Sequence, residues 1–411
     1  MFSPNDRLVL KQLAQRVHDI AQLPDQQTKR DMWRRHTSLK HGIPPIFVSP
    51  EGSWAEIFPD GSLKCEDPFA REVELELRRR IFRHEHIPDD TPIEDHYDIP
   101  VAHLWCGIPW GVPIQHLPST QRGAWHHVPF IEEPEDWKKL KKPVLPLDVE
   151  GAEKRAEALR DAVGDLLKVH VTGVKIFDFH IAHIYCDYRG LDNLFIDLID
   201  DPDMVRDVFA FLTEGTMDLI KEVQRLNLVQ SNNDYTYHYT GGLGYCDDLP
   251  AYTDQPVDLG QIWGAAEAQE YSCVSPDMFC ETVLPFERQI LEPFGLNGYG
   301  CCDDLTEKLP EVLKIKNLRR VAACPWANLG KMAERLKKDY ILTWKPNPAW
   351  LAGETFDEAG MEQYMTESLQ AAKCGYPEII LRDTHSCRND PKRFTQFVAL
   401  TRRAIEKVYG E

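Results

Sequence analysis

The feature that most constrains this chain is a change of rhythm near Asp148. From there on, short apolar runs rich in β-formers alternate with longer helical stretches. The runs fall at 226–232, 295–300, 320–323, 340–343 and 378–382. Asp201-Pro202 and Ser275-Pro276 each predict a helix start, with proline in the first turn, where its missing N–H costs nothing. After the first of these, Val205, Val208, Leu212, Leu219, Val223 and Leu226 repeat at helical spacing. Thr355 to Glu358 reads as a capping box ahead of Met361, Met365 and Leu369. Strands separated by helices pair in parallel, and the most economical closed form is a TIM barrel. The fold expected is therefore α/β: a (β/α)8 TIM barrel over 148–411, behind an irregular N-terminal cap over 1–147. The first stretch is rich in Pro, Trp and His, as in GIPPIFVSPEGSW from Gly42. Proline at that density breaks regular elements, so short helices and a small sheet are expected there.

Charge narrows the function. With 47 Lys and Arg against 66 Asp and Glu, the formal net charge is −19. Such a surface repels phosphate backbones, which excludes a general nucleic-acid binder and suits a small-molecule enzyme. No apolar run approaches the ~18–20 residues that span a bilayer. The opening MFSPNDRLVLKQLAQRVHD is charged and has no continuous apolar core, so a cytoplasmic protein is expected. Eleven cysteines then read as reduced thiols rather than a disulfide framework.

Barrel chemistry sits at the C-terminal ends of strands. The unusual polar residues cluster at those ends: 232–239 with the following GGLGY, 299–304, Cys324-Pro325-Trp326, 343–347 and 383–388. Asp234, Tyr237 and His238 are the candidate catalytic groups. Asn233, Tyr235, Tyr299, Trp326 and Lys345 are candidate substrate contacts, and Tyr239 belongs to the same run. The plain alternative is that these tyrosines alternate along a half-buried strand. Likewise His170, His180 and His183 read as hydrogen-bonded core histidines. Asp303 and Asp304 either orient ligands or cap the next helix. Cys301, Cys302, Cys387 and His385 are soft or borderline ligands suited to zinc, although only the fold can bring the two groups together. The remaining cysteines, Cys106 among them, read as structural.

Several stretches resemble the uroporphyrinogen decarboxylase-like superfamily, which includes zinc-dependent, cobamide-linked methyltransferases. They are SPDMFCETVLPFERQIL from Ser275, GYGCCDDL from Gly298, LRRVAACPWANLGKMAERL from Leu318 and YILTWKPNP from Tyr340. YRGLDNLFIDLIDDPDMVRDVFAFL from Tyr188 is similar to the family's helix before a middle strand. The resemblance covers most of 148–411. In the methyltransferases the zinc ligands come from a His-x-Cys motif and a later cysteine. Cys387 matches the later one; at the first motif Tyr299 or Gly300 stands where the histidine would be, according to whether Cys301 or Cys302 is the match. His385, Glu287 or another acidic residue is then left to supply the third ligand. Such a cage requires the Cys387 sulfur to meet that of Cys301 or Cys302. The decarboxylase branch is not expected, since DMWRRHTSLKHG from Asp31 is not its arginine-rich signature.

The resemblance implies a methyltransferase that takes a methyl group from a small O-methyl or N-methyl compound and delivers it to Co(I) of a separate corrinoid protein. Zinc would polarise the leaving heteroatom. Aromatic residues at the mouth suggest a methoxylated aromatic. Two alternatives remain: transfer from a methylcobamide to a zinc-bound thiol of the coenzyme M type, and a non-catalytic metal- or tetrapyrrole-binding barrel. The partners expected are the small substrate and the corrinoid protein, with no nucleic acid and no membrane, and with a homodimer left open.

Overall fold

The computed structural model describes residues 2–40, 42–59, 61–104, 107–117, 127–238 and 240–410. Its strands are β1 (Ile46–Val48), β2 (His96–Pro100), β3 (Lys168–Thr172), β4 (Asp178–Phe179) and β5 (Trp263–Ala266), then β6 (Leu296–Tyr299), β7 (Leu318–Ala323), β8 (Ile341–Trp344) and β9 (Pro377–Leu381). Seven form one sheet in the order β1-β9-β8-β7-β6-β5-β4, while β2 and β3 form a second. Every pairing is parallel. The parallel α/β layering is as the alternation predicted. The closed eight-stranded ladder is not what the described hydrogen bonds draw.

Side chains stand where the ladder breaks. The carboxylates of Asp90 and Asp89 accept from Ile46 N and Val48 N, tying β1 to the chain that leads into β2. Past β3, Val174 bridges Val229, and the Asn232 amide joins Lys175 O to Trp263. The run 226–232 thus supplies one parallel bridge instead of a full strand. The 1–147 stretch contributes more than a cap, since β1 belongs to the main sheet and β2 pairs with β3 across the expected boundary. Proline misled there for a physical reason: Pro4, Pro24 and Pro68 occupy the first turns of the helices Pro4–Ala21, Pro24–Thr37 and Pro68–His86, where proline is tolerated.

The later helices follow the sequence more closely. Asp201 caps Pro202–Arg225 through Met204 N, and Ser275 caps Pro276–Thr282 through Met278 N. Asp357, not Thr355, caps Glu358–Ala372, accepting from Gly360 N. Asp357, two residues closer to the helix, takes the capping position from the expected box. Among the described residues no helix is long and apolar enough to cross a membrane.

What positions the site is the alternation of strand side chains between two faces. Ile379 and Leu381 of β9 and Trp344 of β8 turn outward to pack with Phe394 and Phe397 of the last helix. Glu378 and Ile380 turn inward, Glu378 to Arg320 of β7 and Thr343 of β8. Residues two steps further on, Lys345 and Arg382, inherit that inward face at the C-terminal ends.

Candidate active site

Because all strands run in parallel, the residues that follow them gather at one end. His180 follows β4, Glu267 follows β5, Cys301 and Cys302 follow β6, Lys345 follows β8, and Arg382 and Asp383 follow β9. The Lys345 ammonium lies 3.1 Å from the Cys301 sulfur. Cys301 and Lys345 are 2% and 3% exposed, so this hydrogen bond is buried. The Cys302 sulfur sits 3.5 Å from that of Cys301 and 3.6 Å from Asp383 Oδ2. Gly300 makes the approach possible. Its φ is +88°, and a Cβ there would come within 2.5 Å of Leu305. Asp303, fully buried, accepts from Cys301 N at 3.1 Å and so fixes the turn. Asp304 accepts from Thr306 N and Oγ1, a local cap.

The thiol pair shares one proton. The hydrogen bond from Cys302, together with the charges of Lys345 and Arg382, outweighs burial and draws the Cys301 thiol down to about 7, while Cys302 is pushed up. Lys345 is held protonated: burial opposes its charge, but Cys301 and Tyr237 outweigh it. Alkylation of Cys301 by iodoacetamide, followed by peptide mapping, should accordingly rise with a midpoint near pH 7. A midpoint near the ordinary thiol value of about 8.5 would show that no such pairing exists.

Two further pairs frame the mouth. His180 Nδ1 lies 2.7 Å from Glu267 Oε1. Burial pushes this imidazole down, yet Glu267 outweighs it and the net direction is up. Arg382 donates to Glu51 Oε1 at 3.0 Å and, from Nη1, to the Tyr237 hydroxyl at 3.4 Å. Glu51 and Asp383 carry positive φ of 41° and 56°, so backbone strain is stored on both sides of this arginine. The Tyr237 ring stacks on Phe47 at 4.8 Å.

Behind Tyr237 opens a cavity of about 770 Å³, lined by Phe47, Asp98, Lys175, Tyr235, Tyr237 and Leu243 among others. It lies where β1 and β2 fail to pair. Lys175 is anchored there by Asp98 at 2.7 Å and Asp234 at 2.5 Å, with the Tyr235 ring 5.0 Å away. Burial works against its charge, but the two carboxylates outweigh burial and push Lys175 up.

Of the residues expected at the site, Cys301, Cys302, Lys345 and Tyr237 come together. Asp234 and Tyr235 line or support the neighbouring cavity. The others take different roles. Tyr299 faces outward, its hydroxyl bonded to the buried Glu287, because it lies one residue out of phase with the inward face. Asn233 clamps the 246–250 loop through Cys246, Leu249 and Pro250. His238 is buried, its ring 5.2 Å from that of Trp263, and burial with Arg320 nearby pushes it well down. A neutral interior imidazole does not serve as a general acid near pH 7. Trp326 is 73% exposed and His385 is exposed. Cys387 is buried in the apolar layer under β8 and β9, donating to Glu56 at 3.2 Å. Tyr239 and Cys106 lie outside the described residues.

The expected zinc cage is therefore not assembled. Cys387 is committed to Glu56, Glu287 to Tyr299, and Lys345 occupies the coordination space beside Cys301. Among the described residues no three His, Cys, Asp or Glu side chains converge as a metal site requires. Sequence reasoning missed Glu267, Arg382 and Glu51, and it placed Asp383 in the 383–388 cluster without giving it a role. Stepping by two along β5 from Trp263 and along β9 from Glu378 would have found the first two.

No family model matches the chain, and no curated protein matches it in sequence. Among solved structures, a methyltransferase from Methanosarcina mazei superposes with a TM-score of 0.48 at 10% identity, over 92% of this chain and 98% of that one. A likeness so distant carries no argument about chemistry.

Proposed function

We propose that the chain is a methyltransferase that moves a methyl group from a small methylated compound, in first place a methoxylated aromatic, to Co(I) of a corrinoid protein. The reading rests on the motifs from Ser275, Gly298, Leu318 and Tyr340. The single structural observation that supports it is a buried cation, Lys345, set at the strand ends beside an aromatic-walled cavity. A reduced cobamide on the partner supplies the nucleophile. The task left to this chain is to hold the donor and to stabilise the anion that remains when the methyl departs. A preorganised ammonium in a water-poor site is suited to that, since it is strongest where charge develops. Arg382 adds a second positive charge and Tyr237 an aromatic wall. With no zinc cage formed by the named residues, no step is assigned to zinc.

Burial and a specific charge partner together perturb Cys301 and Lys345, and such perturbed groups concentrate at working sites. That weighs against a purely binding barrel. The test is to incubate the purified protein with chemically reduced free cobamide and 2-methoxyphenol, following loss of the Co(I) absorbance and formation of catechol. Both should occur together and saturate with the ether. If no O-methyl or N-methyl donor is demethylated while a thiol is methylated from methylcobamide, the direction is reversed. Tight cobamide binding without any turnover would leave only the binding-barrel reading.

A further inference from the structure

We propose that Cys301 and Cys302 form a two-electron thiol–disulfide centre, oxidised by a small peroxide and closing to a bond between the two neighbouring residues. The inference is independent of methyl transfer and rests on three distances. The sulfurs stand 3.5 Å apart, the Lys345 ammonium is 3.1 Å from the Cys301 sulfur, and the Asp383 carboxylate is 3.6 Å from that of Cys302. The lysine stabilises the attacking thiolate of Cys301, and the aspartate stands ready to take the proton of Cys302. Cys387 and Cys246 also meet a carboxylate, Glu56 at 3.2 Å and Asp248 at 3.7 Å, without a neighbouring cysteine in sequence, while Cys273 and Cys374 are exposed.

The chemistry balances in two displacements. In the first, the Cys301 sulfur attacks one peroxide oxygen. An S–O bond forms, the O–O bond breaks, and the departing hydroxide takes a proton from Lys345, which regains one from solvent. Cys301 is then a sulfenic acid. In the second, Cys302 passes its proton to Asp383 and its sulfur attacks that of Cys301. The S–S bond forms, the S–O bond breaks, and the leaving hydroxide takes the proton held by Asp383. Two thiol equivalents are oxidised and one peroxide is reduced to two waters.

Access selects the oxidant. Cys301 is only 2% exposed and Cys302 is half-buried. Such burial disfavours bulky disulfides and leaves a peroxide little larger than water as the oxidant proposed. Closure needs only a small approach of sulfurs already held together, so the second step is favoured by proximity. A disulfide through a single peptide bond is strained, and strained disulfides are readily reduced by small dithiols. Oxidation also removes the anion that pairs with Lys345, so the same event alters the charge of the mouth.

The experiment uses the whole protein, reduced and then titrated with hydrogen peroxide, quenched with N-ethylmaleimide and mapped by mass spectrometry. At one equivalent, the peptide bearing Cys301 and Cys302 should lose two hydrogens, escape alkylation, and recover fully with dithiothreitol. In Cys302→Ser, Cys301 should instead be trapped by dimedone as a sulfenic acid. Asp383→Asn, which leaves both thiols in place, should lengthen the life of that sulfenic acid in the otherwise intact pair. Lys345→Met should slow the first step by about tenfold or more, as the thiolate fraction falls. The proposal is overturned if Cys301 and Cys302 both remain alkylatable at peroxide levels that oxidise Cys273 and Cys374. It is equally overturned if Cys301 proceeds to the sulfinic acid while Cys302 stays a free thiol.

Discussion

Lys345→Met is expected to cost the mouth its thiolate and the proposed reaction most of its rate. In the wild-type protein the ammonium 3.1 Å from Cys301 helps hold that thiol at about 7. Methionine is similar in length and apolar, so it fills the space without the charge. The hydrogen bond from Cys302 remains, but burial is then less fully opposed, and the alkylation midpoint of Cys301 should move up. If Lys345 stabilises the leaving anion, demethylation should fall by about 10²- to 10³-fold, the usual effect of removing one preorganised donor. Stability should respond with a defined sign. Cys301 has a folded value below its unfolded one, so its contribution is present above the unfolded value and is lost as pH falls through about 7. Between about pH 7 and 9 the wild type should therefore gain stability over the variant, on the order of 2 kcal/mol at most. Above that window Cys302, pushed up by the same pairing, ionises first in the unfolded chain and reverses the trend. Denaturant titrations at several pH values measure the window, and parallel wild-type and variant profiles would show that the ion pair contributes nothing.

How far the sequence revealed this arrangement depends on what is local. The runs that became β8 and β9 are short, largely apolar and rich in β-branched residues, and those that became β6 and β7 are short segments between helical stretches, so each was legible from residues next to one another. Their ends were therefore legible too, which is why Cys301, Cys302 and Lys345 could be placed at neighbouring strand ends, where the structure brings them together. Facing was less so, because a one-residue step in a strand reverses the side of the sheet. Tyr299 was misplaced by that single step. Lys345, expected as a substrate contact, lies in phase with Thr343 and so points inward, where it is buried beside Cys301. Partners distant along the chain were not legible at all. Nothing near Cys387 indicates that Glu56 takes its thiol and the backbone N–H groups of Cys387 and Asn389. Nor does anything near Pro45 announce a strand, since Ile46–Val48 is three residues long and exists only because β9 is beside it. The partners of the expected zinc ligands were hidden for the same reason: residue types suited the metal, but Cys387 meets Glu56 through long-range packing.

The interior below the mouth carries the second large expectation, that Glu378→Ala destabilises the protein by about 3–5 kcal/mol. Glu378 and Arg320 are both fully buried, 3.2 Å apart. Thr343 Oγ1 donates to Glu378 at 2.6 Å. Arg320 donates to Leu243 O at 2.8 Å and Thr37 Oγ1 at 3.1 Å, over the Trp263 ring at 4.7 Å. The chain closes tightly around them. At Gly242, where φ is +71°, a Cβ would come within 2.7 Å of the Arg320 guanidinium and 2.8 Å of Glu378. Such a pair need not be worth much relative to an apolar core, but removing one partner strands the other's charge where no water can reach it. The double variant Arg320→Met with Glu378→Met should therefore recover much of the loss, a non-additivity that a double-mutant cycle measures directly. Acid should act as the single variant does. Burial raises the Glu378 carboxyl, yet Arg320 and His36 outweigh burial and hold it below its ordinary value. Its stabilisation is thus present above the unfolded carboxyl value and lost as pH falls through the lower folded one. His36, pushed down chiefly by burial, adds to the loss because the unfolded chain takes up its proton first. A Glu378→Ala protein that unfolds within about 1 kcal/mol of wild type at neutral pH would mean that Arg320 finds another counter-charge, and the interior network would have to be redrawn.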